Sequence, residues 1–459
     1  MADHKTGSTL DHDWAASATN NSGGELIERL AEARVRTDEI FDLVRSDSLY
    51  ERPIPERHRI IFYLGHLEAF DWNLLRERVL GQRAFDSNYD KLFAFGIDPL
   101  NGALPSDQPI DWPSVTDARQ YVRRVRDGID NGLARLESAD WNSNPVGADF
   151  TAKTLLNVAI EHRLMHGETL AYMLHQLPLD RKVRKARKPE LIAAPIKLRM
   201  IEIPDGRATL GLSRSDDRSF GWDNEYETQV VDVAGFTIDK YKVTNGQFLE
   251  FVAAGGYENF AFWREDDWKW RTAQSICHPA FWSQKRNLWY CRTMFDEVPL
   301  PLEWPVYVSQ AEASAYARWA GKSLPTEAQW HRAAYGTQNG PERTFPWGAA
   351  TPSHNKGNFD FHHFDPTPVG AFPEGESAFG VADLLGNGWE WTSSQFEPFP
   401  GFQRFSFYPG YSADFFDGKH FVMKGASAST AACMLRRSFR NWFQPHYQYV
   451  YAGFRCVSN

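Results

Sequence analysis

Long apolar runs are missing from this chain: no stretch approaches the roughly eighteen uninterrupted apolar residues that a membrane-crossing helix needs. The N-terminus, MADHKTGSTLDHDW, lacks the basic start and apolar segment of a secretory signal. The expected location is therefore the cytoplasm. An excess of basic charge is missing too. With 50 Lys and Arg against 59 Asp and Glu, the formal net charge of −9 supplies no global positive field. That argues against nucleic acid or an anionic membrane as partner and in favour of small-molecule substrates. Cysteine is scarce. Cys277, Cys291, Cys433 and Cys456 form no CxxC pair, which excludes a disulfide framework and a zinc ribbon and leaves buried or half-buried thiols as the expectation. No internal repeat is present.

What is present falls into unlike halves. At 459 residues the chain is long enough for two or three domains with cores of their own. Residues 1–23, rich in Ser, Asn, Asp and Gly, read as a disordered leader. Amphipathic stretches then span about 24–48, 56–83, 113–138 and 150–176, with apolar residues three and four apart, as at Ile27, Leu30, Ala31 and Val35. Pro53 and Pro55 precede the second, and Pro113 is placed in the first turn of the third. Four such helices predict an antiparallel bundle over 24–180. The basic run RKVRKARKPELIAAP opens a solvated linker, 181–196. From 197 to 459 the pattern becomes short alternating strands (KLRMIEI, TQVVDVAGFTI), a helix at 310–321 ending on glycine, and many Gly, Pro and Asn turns. Aromatic residues, 14% of the chain with 17 Trp and 32 Phe, concentrate after residue 219 and suit loops stitched by rings. The predicted fold class is multi-domain, α followed by α+β.

The strongest local signal is EHRLMHGE, Glu161–Glu168. His162 and His166 stand four apart, so both rings leave one face of a helix about a turn apart, a spacing suited to gripping one ion. His66, in YLGHLEAFDWNLL on the second helix, is flanked by apolar residues and is the natural third ligand. Three neutral imidazoles with open positions suit iron(II) in oxygen chemistry and catalytic zinc equally, and spacing does not choose between them.

At this point the chain resembles a known pair of modules. His66 with the HxxxHxE of His162, His166 and Glu168 is similar to the DinB-like bundle of the EgtB-type sulfoxide synthases. The remainder resembles their formylglycine-generating-enzyme-like (C-type-lectin-like) domain through DKYKVTNGQFLEFVAAGGY, WAGKSLPTEAQWHRAA, FPWG, FGVADLLGNGWEWTSS and SFRNWFQPHYQYVYAGFRC. The resemblance implies iron(II) on His66, His162 and His166, oxygen as co-substrate, and coupling of sulfur to imidazole C2 of hercynine. It implies Glu168 as a carboxylate orienting a ligand from behind. Tyr408, with Tyr411 close behind it, matches a loop tyrosine that handles a proton. Asn441 and Trp442 match residues that hold the hercynine carboxylate and cation, the latter through its ring face.

Three departures bear on the substrate. Leu164 and Met165 stand where the family's HEQQH form places a glutamine beside the imidazole. Phe443 and Tyr447 replace an aspartate and an arginine that grip γ-glutamylcysteine, removing two charge-assisted contacts worth roughly 1.5–3 kcal/mol each. FDSNYDKLFAFGIDPLNG lacks the asparagine and paired tyrosines of other subgroups. An uncharged, stackable donor such as a sugar is the expectation, as in the similar selenoneine synthases that take a selenosugar. An ergothioneine-type synthase using cysteine or another thiol is the alternative. Of other classes, a formylglycine-generating oxidase is disfavoured because its copper cysteines would fall near Thr430 and Leu435. A zinc-dependent thiol transferase leaves the C-terminal half without a task. A non-catalytic binding protein would need the histidines only for packing.

Overall fold

The computed structural model describes residues 22–94, 104–137, 140–142, 150–184, 191, 197–215 and 220–458. The expected leader, apart from its last two residues, and most of the expected linker lie outside the described residues.

The N-terminal half is a helical bundle: α1 (Gly23–Phe41), α2 (Ile60–Leu75), the short α3 (Ser87–Leu92), α4 (Val115–Leu133) and α5 (Ala152–Gln176). Its helix starts follow capping chemistry. Ser22, Ser114 and Thr151 each accept the backbone N–H three residues on. Pro113 therefore precedes the cap of α4 instead of sitting in its first turn. α1 ends at Phe41, earlier than the apolar pattern implies, because Leu43 and Val44 turn back on the helix end and Ser46–Ser48 form a 3-10 turn. α1 packs on α5, and α2 on α4 and α5.

α5 departs from the amphipathic expectation. It is buried on nearly every side, including Glu161, His162, Arg163, His166, Glu168 and His175, because the second half of the chain covers the face that the bundle leaves open. The first residues of the basic run also pack instead of floating. Lys182 pairs with Val44, is 6% exposed and donates to the Met294 carbonyl at 2.5 Å.

The C-terminal half carries four small sheets. Strands β1 (Met200–Ile203), β4 (Phe236–Asp239) and β12 (Val457–Ser458) form one, so the end of the chain closes onto the start of this half. β2 (Gly206–Leu210) pairs with β3 (Gln229–Val233), and β5 (Trp282–Lys285), β6 (Leu288–Arg292) and β7 (Glu297–Pro299) make a meander. β8 (Gly388–Gln395), β9 (Phe421–Ala426), β10 (Asn441–Phe443) and β11 (Ala452–Gly453) form a sheet in the order 10-9-8-11. Helices α6 (Asn245–Ala253), α7 (Glu265–Ala273), α8 (Gln310–Trp319) and α9 (Glu327–Tyr335) pack around them. α8 is the helix expected at 310–321, with Gly321 at φ +66° just beyond its end. One apolar core runs from the bundle through the seam, taking in Leu155, Leu170, Trp222, Trp389 and Tyr451. Of the cysteines, Cys291 and Cys456 are buried and Cys433 is half-buried, but Cys277 is exposed, against expectation. Among the described residues no helix is long and apolar enough to cross a membrane.

Candidate metal centre

Three buried imidazoles meet where α2 crosses α5. One nitrogen from each of His66, His162 and His166 lies within 4.8 Å of the others, and the two Nε2 atoms of α5 are 3.1 Å apart. His66 Nδ1 is 2.7 Å from the Phe93 carbonyl, so it carries the proton donated there and leaves Nε2 as a lone-pair donor. That Nε2 has no hydrogen-bond partner among the described residues. Burial holds all three rings neutral, His66 at a pKa of about 4 and the other two well below the usual histidine value. A buried, unpaired lone pair is costly unless something accepts it, and a neutral imidazole is the form that binds a metal. The donor set thus fits an imidazole-bound transition ion such as iron or zinc. Among the described residues no carboxylate or thiol joins the group.

The rings are held by aromatic neighbours and by charge. Phe70 lies parallel to His162 at 3.4 Å between centroids, and Phe62 stacks on His66 at 4.7 Å. Arg163, next to His162 and fully buried, reaches across to α2, donating to Glu68 at 3.0 Å and Asp71 at 2.6 Å. Burial pushes both carboxyls toward protonation, and at Glu68 the guanidiniums of Arg163 and Arg126 outweigh it. The two histidine-bearing helices are therefore tied together within a few residues of the imidazoles.

The other face of α5 is pinned to the C-terminal half. Glu161 accepts from the Trp222 indole at 2.7 Å and from two nitrogens of Arg436 at 2.7 and 2.9 Å. Glu168 accepts from the Trp389 indole and Ser427 at 2.6 Å each and from Thr430 at 2.9 Å. The carboxylate of Glu168, expected behind a metal ligand, bonds to the β8–β9 region, and among the described residues none of its hydrogen bonds goes to an imidazole. These bonds also give Thr430 a role of its own, at a position where a copper site would need cysteine.

Around the buried triad stands a half-buried aromatic rim. Tyr408 lies 5.4 Å from Phe70 and 6.4 Å from His162, ring centre to ring centre. Tyr411 donates its hydroxyl to the Met165 sulfur at 3.5 Å and stacks on Trp222 at 3.9 Å. Trp442 lies flat on Phe396 at 4.2 Å and meets Tyr411 edge-on at 5.5 Å. Phe443 and Tyr447 are stacked on each other at 4.9 Å. Asn441, by contrast, accepts from the Trp442 backbone at 2.8 Å, folding its side chain onto its own strand.

Sequence reasoning missed Arg57, Phe70, Trp222 and Arg436. Arg57, 7% exposed, donates to the Tyr447 hydroxyl at 3.0 Å, faces the rings of Tyr172, Phe443 and Tyr447, and helps to lower the pKa of His166. The corner that had lost its aspartate and arginine keeps a cation after all, supplied by a residue 390 positions away in sequence. Phe70 was within reach of the sequence, being four residues beyond His66 on the same helix face.

The sulfatase-modifying factor enzyme 1-like domain family matches residues 192–459, and the DinB superfamily matches residues 29–170. A hercynine oxygenase of Mycobacterium tuberculosis is 35% identical over 440 residues, covering 94% of this chain and 98% of that protein. The chain belongs to the hercynine oxygenase (EgtB-type) family. A second hercynine oxygenase, from Mycolicibacterium smegmatis, is 36% identical over 452 residues with the same coverage. Ergothioneine biosynthesis protein 1 of Neurospora crassa is 29% identical over 497 residues, covering 90% of this chain and 55% of that protein. The predicted order of a DinB-like bundle followed by a formylglycine-generating-enzyme-like domain is thus the order found. In this chain the three histidines fall within the stretch matched by the DinB superfamily, and the aromatic rim draws on both matched stretches.

Proposed function

We propose that this protein is a non-haem iron(II), oxygen-dependent enzyme that joins a chalcogen to imidazole C2 of hercynine, with a selenosugar as donor. The observation that carries the reading is the convergence of three neutral, buried imidazoles beneath an aromatic rim, in a chain whose relatives are named hercynine oxygenases. Iron(II) held by His66, His162 and His166 supplies the one-electron chemistry that makes dioxygen reactive. In the overall balance the C2–H and Se–H bonds break and one C–Se bond forms. One oxygen atom ends on selenium and the other leaves as water with the two hydrogens.

The remaining tasks belong to side chains. Trp442, backed by Phe396, offers an aromatic surface that attracts the trimethylammonium of hercynine, with Asn441 beside it for the carboxylate. Met165 lies against Tyr411 at the edge of this surface and sets its width. Tyr408 holds the proton to be delivered as the new bond forms. The stacked Phe443 and Tyr447 suit the apolar face of a sugar ring. A second reading is favoured by Arg57 in the same corner: a carboxylate-bearing thiol such as cysteine would find a charge partner there.

Iron-loaded protein incubated with hercynine and oxygen, and separately with a selenosugar, cysteine or γ-glutamylcysteine, separates the readings by product mass. Coupling with the selenosugar is expected. Coupling with cysteine alone installs the second reading, and coupling with γ-glutamylcysteine alone overturns the assignment of Phe443 and Tyr447 to the donor.

A further inference from the structure

The tetrapeptide Trp222–Glu225 lies far in sequence from every residue assigned above, yet it touches each side of the centre. Trp222 is fully buried; its indole N–H donates to Glu161, the neighbour of His162, at 2.7 Å, and its ring lies on Tyr411 at 3.9 Å. Asp223, also fully buried, accepts from the Ser412 hydroxyl at 2.6 Å, and that residue follows directly on Tyr411. Burial raises its pKa to about 6, and the Ser412 hydroxyl opposes that shift. Asp223 therefore holds the loop 405–412 that carries Tyr408 and Tyr411 at its Ser412 end, next to Tyr411. Glu225 accepts from the Trp222 backbone at 2.9 Å, from Arg436 at 2.5 and 2.8 Å and from Ser438 at 2.7 Å. Arg436 returns to Glu161 and closes the circuit.

We propose that Trp222–Glu225 is a positioning element that sets the metal-facing helix and the tyrosine loop in register with each other, with Trp222 and Asp223 as its positioning residues. The inference rests on the reading of the triad as a metal site. A carboxylate held from one side by an indole and a guanidinium fixes the rotation of α5 at Glu161, and the rotation of α5 fixes where the His162 ring points. The same indole carries Tyr411 on its face. A shift of either partner is passed to the other through one rigid ring.

The test uses the full chain and cobalt(II), whose visible absorption reports ligand geometry. Trp222→Phe keeps a six-membered ring for Tyr411 and removes the five-membered ring with its N–H. It is expected to weaken cobalt binding about tenfold, as loss of groups that orient ligands does, and to move the absorption bands with unchanged circular dichroism. Glu161→Gln is expected to do the same, and the double variant no more than either alone. Ser412→Ala leaves cobalt affinity and bands as in the wild type and lowers kcat by about 10 to 100-fold at unchanged KM for hercynine, the scale of a displaced reacting group. A Trp222→Phe protein with wild-type affinity and bands, or a Ser412→Ala protein with wild-type kcat, overturns the inference. A wild-type chain that takes up no cobalt overturns the metal reading itself, and the inference with it.

Discussion

At the scale of single residues, burial separates the three histidines from the aromatic residues around them. The three histidines are nearly inaccessible, whereas Phe70, Met165, Tyr408, Tyr411, Trp442, Phe443 and Tyr447, where the proposed substrates would arrive, are half-buried. His162→Ala removes one of three nitrogens and is expected to abolish stoichiometric iron binding after anaerobic loading, measured as iron per chain. A protein that packs its histidines without using them would keep whatever iron it had. Tyr408→Phe keeps the ring beside His162 and removes the proton; turnover is expected to shift from coupled product toward oxidation of the donor alone, read by mass. An unchanged ratio would end the role given to that phenol.

At the scale of elements, α2 and α5 are joined by an ion pair that a sequence does not advertise. Arg163 sits between the two histidines in EHRLMHGE, but its partners Glu68 and Asp71 lie on α2, more than 90 residues earlier. Replacing it by Met strands the buried Asp71 and leaves Glu68 with Arg126 alone. The expected loss is about 3–5 kcal/mol in urea unfolding, and a loss below about 1 kcal/mol, the worth of a surface pair, would show that the brace is idle. The histidines were legible because their signal is local: a four-residue spacing and an apolar flank. Phe70 carried a signal of the same local kind. The partner of Glu168, and Arg57 and Trp222 altogether, were not legible, because each contact is made far along the chain, with Trp389, Tyr447 and Glu161 respectively. The burial of α5 on all sides escaped notice for the same reason, since periodicity registers one half's core and not the surface another half will cover.

At the scale of the whole molecule, the seam between the halves is ionic at Glu161 and Arg436 and neutral at His175. His175 ends α5 fully enclosed, 2.7 Å from the Arg292 carbonyl and 3.0 Å from the Tyr451 hydroxyl, and burial holds its pKa near about 3. Its folded value lies below the unfolded 6.5, so the stability it contributes is complete above about pH 6.5 and is lost as pH falls toward about 3. His175→Gln keeps a polar group and cannot take a proton. The stability gap between wild type and variant is expected to be largest at pH 8 and to shrink by roughly 1.4 kcal/mol per pH unit below 6.5, measured by urea unfolding. A gap independent of pH would mean that the ring is not held neutral.

The enclosure of α5 also decides how far this bundle is portable. Cut free of its partner, it would present Glu161 and Glu168 with no indole, guanidinium or hydroxyl to receive. Fused to a foreign partner, it would meet the same want. A chimera that is to keep the ion must therefore carry the receiving groups, Trp222, Trp389, Ser427, Thr430 and Arg436, along with the helix, so that the transplantable unit is the joint and not the domain.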